Sequence, residues 1–378
     1  MSAALESSGI PLWYTDYNRI SRDLLVDSFN CSCDKNVVFS AFSLYMLLAI
    51  LVNATSGASR QEILDAVAGK CSADELIDDL KNLLSTFTTT SGRGVLKSSN
   101  GICVSKDYFD KLKPDFVSSM RQIFDAEFFE GGEDMVTKVN AWVRDKTDGM
   151  IDSIMDENSA DGLKTVLMNA VAFDTQWLEP YEEYDVIPRD IFTNIDGSTS
   201  KVTILASEEY EYIEDDYFTG FVKPYKGKHY AFMGLLPRRA NSKILFGKSM
   251  QHIDFCKYFE QRIENDVDVM IPEFEVTADT ELSSYLESLG IQSVFGPQAD
   301  FSNMMCENPQ TSNSILQKAY LKLDRHGTKA AAVTEMAVGA CCPDFEHRKS
   351  VNLDRPFVYA VMNTDTGLSV FAGFVSRL

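Results

Sequence analysis

The sequence predicts an α+β fold, a single domain built on large sheets. Three observations predict it. Helical periodicity dominates up to about residue 160, strand patterns dominate after it, and no internal repeat or Pro/Gly/Ser-rich linker divides the 378 residues. Taken in order, "VVFSAFSLYMLLAILV" (37–52) is uncharged and reads as a buried helix. It is shorter than the roughly 18 residues that a membrane span needs. "SRQEILDAVAG" opens with Ser59 followed by Glu62, the spacing of a capping box. "EDMVTKVNAWVRDKT" carries apolar residues at helical spacing, and "VLMNAVAF" (166–173) reads as a fully buried strand. "DVDVMIPEFEV" alternates through Val267, Val269 and Ile271, and "ELSSYLESLGI" reads as a helix ended by Gly290. "KAYLKLDR" alternates again, with Ala319, Leu321 and Leu323 on one face. The chain closes with a hairpin, "PFVYAVMN" and "LSVFAGFV" around the turn "TDTG".

Composition excludes several classes of function. Hydrophobic content of 45% and charged content of 24% are those of an ordinary globular protein. A formal charge of −21 disfavours nucleic acid and anionic membranes as partners. The acidic run 208–216 reads as a solvated edge or loop. Eight cysteines include no CxxC pair, and Cys31-Ser32-Cys33 has no nearby histidine to complete a metal site. Met1–Tyr14 lacks the basic start and apolar core of a signal peptide. There is no G-x-S-x-G elbow, no H-E-x-x-H and no dinucleotide glycine pattern. "FGKS" (246–249) lacks the leading glycine of a P-loop, because Ser242 stands in its place. The expectation is a protein that is not an enzyme and uses neither cofactor nor metal.

One segment stands apart. Positions 327–342 read "GTKAAAVTEMAVGACC". Sorted by parity, the even side carries Thr328, Ala330, Ala332, Thr334, Met336 and Val338, and both charges, Lys329 and Glu335, fall on the odd side. The even face is fit for burial in a sheet. Yet the segment runs into "PDFEHRKS" (343–350), which reads as an exposed loop.

This segment resembles the reactive centre loop of the serpins, whose hinge has Gly, then Thr or Ser, a run of small residues, then Thr or Ser. Here that is Gly327, Thr328, Ala330, Ala331, Ala332 and Thr334. The resemblance extends over nearly the whole chain. It is carried by "NVVFSAFSLYMLLAILVNATSGASRQEI", "VNAWVRDKTDGMI", "VLMNAVAFDTQWLEPY", "FVKPYKG", "GLLP", "IPEFEV", "LGIQSVF", "RPFVYAV" and "LSVFAGFV". It implies one serpin domain over 1–378, with a large central sheet, additional sheets, about eight or nine helices and an exposed C-terminal reactive loop at about 327–352. It also implies a suicide substrate of serine proteases. The protease forms an acyl-enzyme on the loop, and the cut loop inserts into the main sheet before hydrolysis completes, as serpin loops are known to do.

The resemblance places further residues. The scissile bond, fourteen positions past the hinge Gly, is Cys341–Cys342, with Ala340–Cys341 the alternative and Val338, Gly339 and Ala340 as specificity flank. None of these is basic or aromatic, so the implied targets are elastase-like enzymes, then subtilisin-like ones. Ser40, Ser43 and Asn169 match a cluster that controls sheet opening, with Gln317 where the family often has His, and Trp177 matches the aromatic where insertion begins. Ala41 stands for the usual Pro, Arg325 for an acid, and Val333 interrupts the small-residue run. "ADELIDDLKNLLSTF" is not basic, so heparin activation is not expected. The expected partner is a serine protease, bound covalently by a monomer in an extracellular setting, with a cytoplasmic one as alternative. A non-inhibitory binding or chaperone serpin is the other reading; the small hinge residues favour inhibition.

Overall fold

A computed structural model of the chain describes residues 11, 13–69, 71–89, 96–156, 164–239, 242–307, 313–328 and 348–378. Contacts gather into two compact units, each assembled from three separate stretches: Met1–Ile20, Phe39–Ala172 and Thr277–Tyr320 in the first, Ser21–Val38, Phe173–Val276 and Leu321–Leu378 in the second. Ten α-helices occur among the described residues. They are α1 (Trp13–Ser32), α2 (Ala41–Ala54), α3 (Gly57–Val67), α4 (Ala73–Thr89), α5 (Lys106–Phe109), α6 (Pro114–Phe124), α7 (Met135–Lys146), α8 (Lys243–Met250), α9 (Phe255–Glu260) and α10 (Ser283–Ser288).

The first unit is organised by α2, in which every residue except Asn53 is buried. The sequence predicts this helix from Val37, but Val37–Phe39 is a strand, β1, and the helix starts at Ala41. Ser40 makes the break: its backbone is extended and its Oγ accepts from Ser43 N as an N-cap. The expected capping box at Ser59 does not form. Helix α3 starts at Gly57, and the Glu62 carboxylate instead accepts from Gln292 N, Ser293 N and Ser293 Oγ. Strands β2 (Leu96–Val104), β3 (Glu127–Glu130) and β4 (Thr165–Phe173) line up in the order β3-β2-β4, with β12 (Asn313–Asp324) parallel to β4 on its far side. All nine residues of β4 are buried. Its Val166, Met168, Ala170 and Ala172 share a core with Val139, Trp142 and Val143 of α7. Gly101 on β2 permits that packing, because a Cβ there would lie 2.9 Å from Met168 Cε and 3.0 Å from the Trp142 ring.

The second unit holds the larger sheet. Its strands are β6 (Val186–Thr193), β7 (Thr199–Glu214), β8 (Phe218–Pro224), β9 (Tyr230–Pro237), β10 (Ile263–Pro272), β14 (Lys349–Asn352), β15 (Phe357–Asn363) and β16 (Ser369–Val375). They follow the order β1-β16-β15-β9-β8-β7-β10-β14, with β6 on β7. The C-terminal hairpin pairs Phe357 with Val375, and Asn363 Oδ1 holds the turn by accepting from Thr366 N and Oγ1. The remaining strands, β5 (Thr175–Gln176), β11 (Phe274–Glu281) and β13 (Gly327–Thr328), pair along β12 or one another.

The acidic run 208–216 differs from its sequence reading. Up to Glu214 it belongs to β7, an interior strand between β8 and β10. Pleating alternates its side chains, so Glu208 and Tyr210 face solvent while Glu209 is buried at 5% exposure. Lys223 Nζ, equally buried, meets Glu209 Oε1 at 2.6 Å. Two acid pairs face each other across β7 and β10, Glu208 with Asp268 and Glu211 with Glu264. Like charges in that position repel. Arg348 bridges Glu208 and Asp268, and Arg262 binds Glu211.

Removing one partner of a buried ion pair leaves the other desolvated and unpaired. Lys223→Met is expected to lower unfolding stability by about 3–5 kcal/mol, and Lys223→Met with Glu209→Leu to recover most of it. Burial already raises the Glu209 pKa despite Lys223. A folded-state pKa above the unfolded one adds stability at low pH that is lost as pH rises. The Lys223→Met deficit should therefore shrink as pH falls, which denaturant titrations at two pH values would measure.

Candidate functional site

The start of the segment singled out in the sequence is already a strand. The end of β12 pairs antiparallel with β13, Leu323 opposite Thr328 and Asp324 opposite Gly327. On its other side β13 pairs antiparallel with β5, Gly327 opposite Gln176 and Thr328 opposite Thr175. Only glycine fits at 327: φ is +150°, and a Cβ would lie 2.1 Å from Thr175 O and 2.7 Å from Gln176 Cα. Thr328 is fully buried, and its Oγ1 lies 2.7 Å from the Tyr225 hydroxyl. Burial holds that hydroxyl far above the usual phenol range, so it stays protonated.

Tyr225 stacks on Trp177 with ring centroids 4.4 Å apart and planes 5° from parallel. Trp177 is 1% exposed and is fixed at two points. Its Nε1 donates to Asp324 O at 3.0 Å, and its backbone N donates to His326 O at 3.1 Å. Both acceptors lie just before Gly327, so the indole clamps the chain where it leaves β12. The Lys223 ammonium lies over the Trp177 and Tyr181 rings, at 5.5 and 4.5 Å. Arg325 donates its backbone N to Glu273 Oε1.

The first unit contains the second group of sequence-derived residues, and it falls into two hydrogen-bonded sets. Gln317 on β12 spends its whole amide on Ser40: Ser40 N donates to Oε1 at 3.0 Å, and Nε2 donates to Ser40 O at 2.8 Å. Ser43 joins this set through its backbone N, bonded to Ser40 Oγ. Asn169 is the β4 register partner of Gln317, but its Nδ2 donates to Ser98 Oγ and Asn100 Oδ1. Among the described residues, Ser43 Oγ and Asn169 Oδ1 are buried without a hydrogen-bond partner. Sequence reasoning missed Ser98, Asn100 and Tyr225. The polar triplet Ser98-Ser99-Asn100, buried or half-buried ahead of the apolar Ile102-Cys103-Val104, was a signal for the first two; Tyr225 stands in "FVKPYKG", where nothing gave it a role of its own.

The rest of the loop assignment, Ala330, Ala331, Ala332, Val333, Thr334, Val338, Gly339, Ala340, Cys341 and Cys342, lies outside the described residues. Beyond it the chain rejoins the larger sheet as β14, parallel to β10. Arg348 bonds Glu208 and Asp268, while Lys349 Nζ bonds Glu214 at 3.0 Å and lies 5.2 Å from the Tyr212 ring.

Comparison with known proteins agrees with this geometry. Plasminogen activator inhibitor 1 of Bos taurus is 27% identical over 355 residues, covering 91% of this chain and 87% of that protein. An uncharacterized serpin-like protein of Methanosarcina acetivorans is 24% identical, covering 90% and 81%. Among solved structures, the thermophilic serpin tengpin in its native state superposes with a TM-score of 0.85 at 29% identity, over 97% of this chain and 94% of that one. Thyroxine-binding globulin in complex with thyroxine superposes at 0.83 with 21% identity, over 96% and 98%. The family described as "Serpin (serine protease inhibitor)" matches residues 16–378, and the chain belongs to it.

Proposed function

We propose that this chain is a suicide-substrate inhibitor of serine proteases that traps the acyl-enzyme by drawing its cut loop between β4 and β12. The observation that carries this reading is the seated hinge. Gly327–Thr328 already occupies a strand position beside β12, in a definite register. Continuing that register by six residues moves from Thr328 to Thr334, from Leu323 back to Gln317, and from Thr175 back to Asn169. Gln317 and Asn169 are themselves register partners, so one advance satisfies both neighbours. Thr334 would arrive on the buried face, beside the Asn169 Oδ1 that has no donor. The residues between are Lys329, Ala330, Ala331, Ala332 and Val333, and those of even parity are small enough to be buried there.

The proposed scissile bond is Cys341–Cys342, and the proposed targets are elastase-like proteases, then subtilisin-like ones. Small apolar side chains suit a shallow pocket, and a trypsin-like pocket would keep an unpaired acid. The basic residues downstream are engaged elsewhere: the Arg348 side chain is 15% exposed between two carboxylates, and Lys349 is bound to Glu214. A heparin-dependent mechanism is not part of this reading, because α4 opens with Asp74 and Glu75 and has no basic residue in its last turn.

Incubation with a panel of serine proteases should give a covalent complex that survives boiling in detergent. Mass spectrometry of the released peptide should find Cys342 at its N-terminus. Clean cleavage with no complex, and equal melting of cut and intact chains, would favour a carrier or chaperone role. A fragment starting at Lys349 or Ser350 would overturn the target class. Thr334→Val should leave the melting of the intact protein unchanged and destabilise only the cleaved form, by about 0.5–1.5 kcal/mol. Gly327→Ala should act on the intact protein, because its Cβ meets the β5 backbone. Greater protease sensitivity of the hinge in that variant, with a larger fraction cleaved as substrate, is the expected result.

A further inference from the structure

A cavity of about 410 Å³ opens in the second unit, with Leu178, Val222, Ala231 and Phe259 among its lining and Glu209 and Lys223 in its wall. It lies within the size range of small-molecule sites. Its charged groups are mostly spent on one another. Lys223 binds Glu209, and Arg262 binds Glu211 at 2.9 Å with its guanidinium 4.0 Å from the Phe259 ring. Exposed Lys228 and exposed Glu179 also line it.

Glu209 breaks the balance. Its Oε1 accepts twice, from Lys223 Nζ at 2.6 Å and Ser207 Oγ at 2.7 Å. Both of these hydrogen bonds go to Oε1, and Oε2 is not among the buried oxygens left without a partner. A carboxylate is an acceptor only, with room for about four donors. Lys223 has no spare role here, because the Tyr181 and Trp177 rings lie beside its ammonium. The field of Glu179 also reaches Glu209, so a second positive charge would be welcome at this point. We propose that the cavity binds a small organic amine, whose ammonium donates to Glu209 Oε2 and whose apolar body packs against Val222, Ala231 and Phe259. The chain's charge of −21 would concentrate such a cation near the surface. An occupant would share Glu209 with Lys223 and so touch the group beneath Trp177, the residue that clamps the hinge. This proposal does not depend on the protease assignment.

The test is calorimetric titration of the intact protein with 2-phenylethylamine, and with 3-phenylpropanoate as an anion of matched size. Saturable amine binding with a dissociation constant below about 1 mM is expected, with the anion at least about tenfold weaker. Glu209→Gln should abolish amine binding, but it also strands Lys223. Glu179→Lys, at an exposed position, is therefore the second variant and should weaken the amine by about tenfold. Equal or tighter binding of the anion, no saturation by the amine, or amine affinity unchanged in Glu179→Lys would each overturn the assignment.

Discussion

The arrangement around β13 depends on one backbone approach. At Gly327 the chain passes so close to Thr175 and Gln176 that no side chain fits, and this closeness makes β13 a true strand between β12 and β5. Two consequences follow. The register of β13 itself is fixed, because a strand cannot slip by one residue without exchanging its faces. The clamp on the preceding residues also becomes possible. Trp177 holds the carbonyls of Asp324 and His326, and its ring supports Tyr225, which in turn holds Thr328. A bulkier residue at 327 would separate these contacts rather than weaken one of them.

The polar groups along β4 and β12 give the first unit an unfinished quality. A buried acceptor or hydroxyl without a partner costs about 1–3 kcal/mol. Among the described residues, Ser43 Oγ and Asn169 Oδ1 are two such atoms, and Thr165 Oγ1 on β4 and Asn313 Oδ1 on β12 are two more. Gln317 explains part of this. Its amide matches the N–H and C=O of Ser40, both at good distance, and nothing remains for Asn169 across the register. An imidazole would have one donor to direct, whereas an amide completes a closed pair with one backbone residue. The identity of residue 317 thus leaves part of the deficit on β4, at Asn169.

Much of the architecture was legible because burial writes itself into periodicity. The nine buried residues of β4 carry no charge and are apolar except for Thr165 and Asn169, and the alternation of Ala319, Leu321 and Leu323 gave the face of β12 correctly. The misreadings share a cause: each was settled by a partner distant in sequence. Val37–Phe39 looks helical with the run that follows, yet it pairs with β16. Ser59 and Glu62 have capping-box spacing, but Glu62 is claimed by Gln292 and Ser293. Glu209 belongs to an acidic run and is buried because Lys223 lies opposite. At the site, Thr328 and Trp177 were singled out through resemblance, while Tyr225, which touches both, stands in "FVKPYKG" with nothing local to set it apart.

The buried pair also shows how an acidic surface is made compatible with a sheet. Strand β7 carries Glu208, Glu209 and Glu211 within four residues, and β10 answers with Glu264 and Asp268, so pleating alone would set acids against acids. Each is relieved by a different cation from a different place in the chain: Arg348 just before β14, Lys223 from β8 and Arg262 beside β10. Arg348 is the last residue before β14, so the charge that stabilises β7 against β10 also fixes the entry to β14. The described residues on either side of 329–347 are therefore held by different contacts, Gly327 by backbone closeness and Arg348 by electrostatic relief. Those anchors differ in physical character: the first is steric and indifferent to salt, and the second is ionic and weakened by it. The ionic anchor is the one that changes in solvent would loosen first.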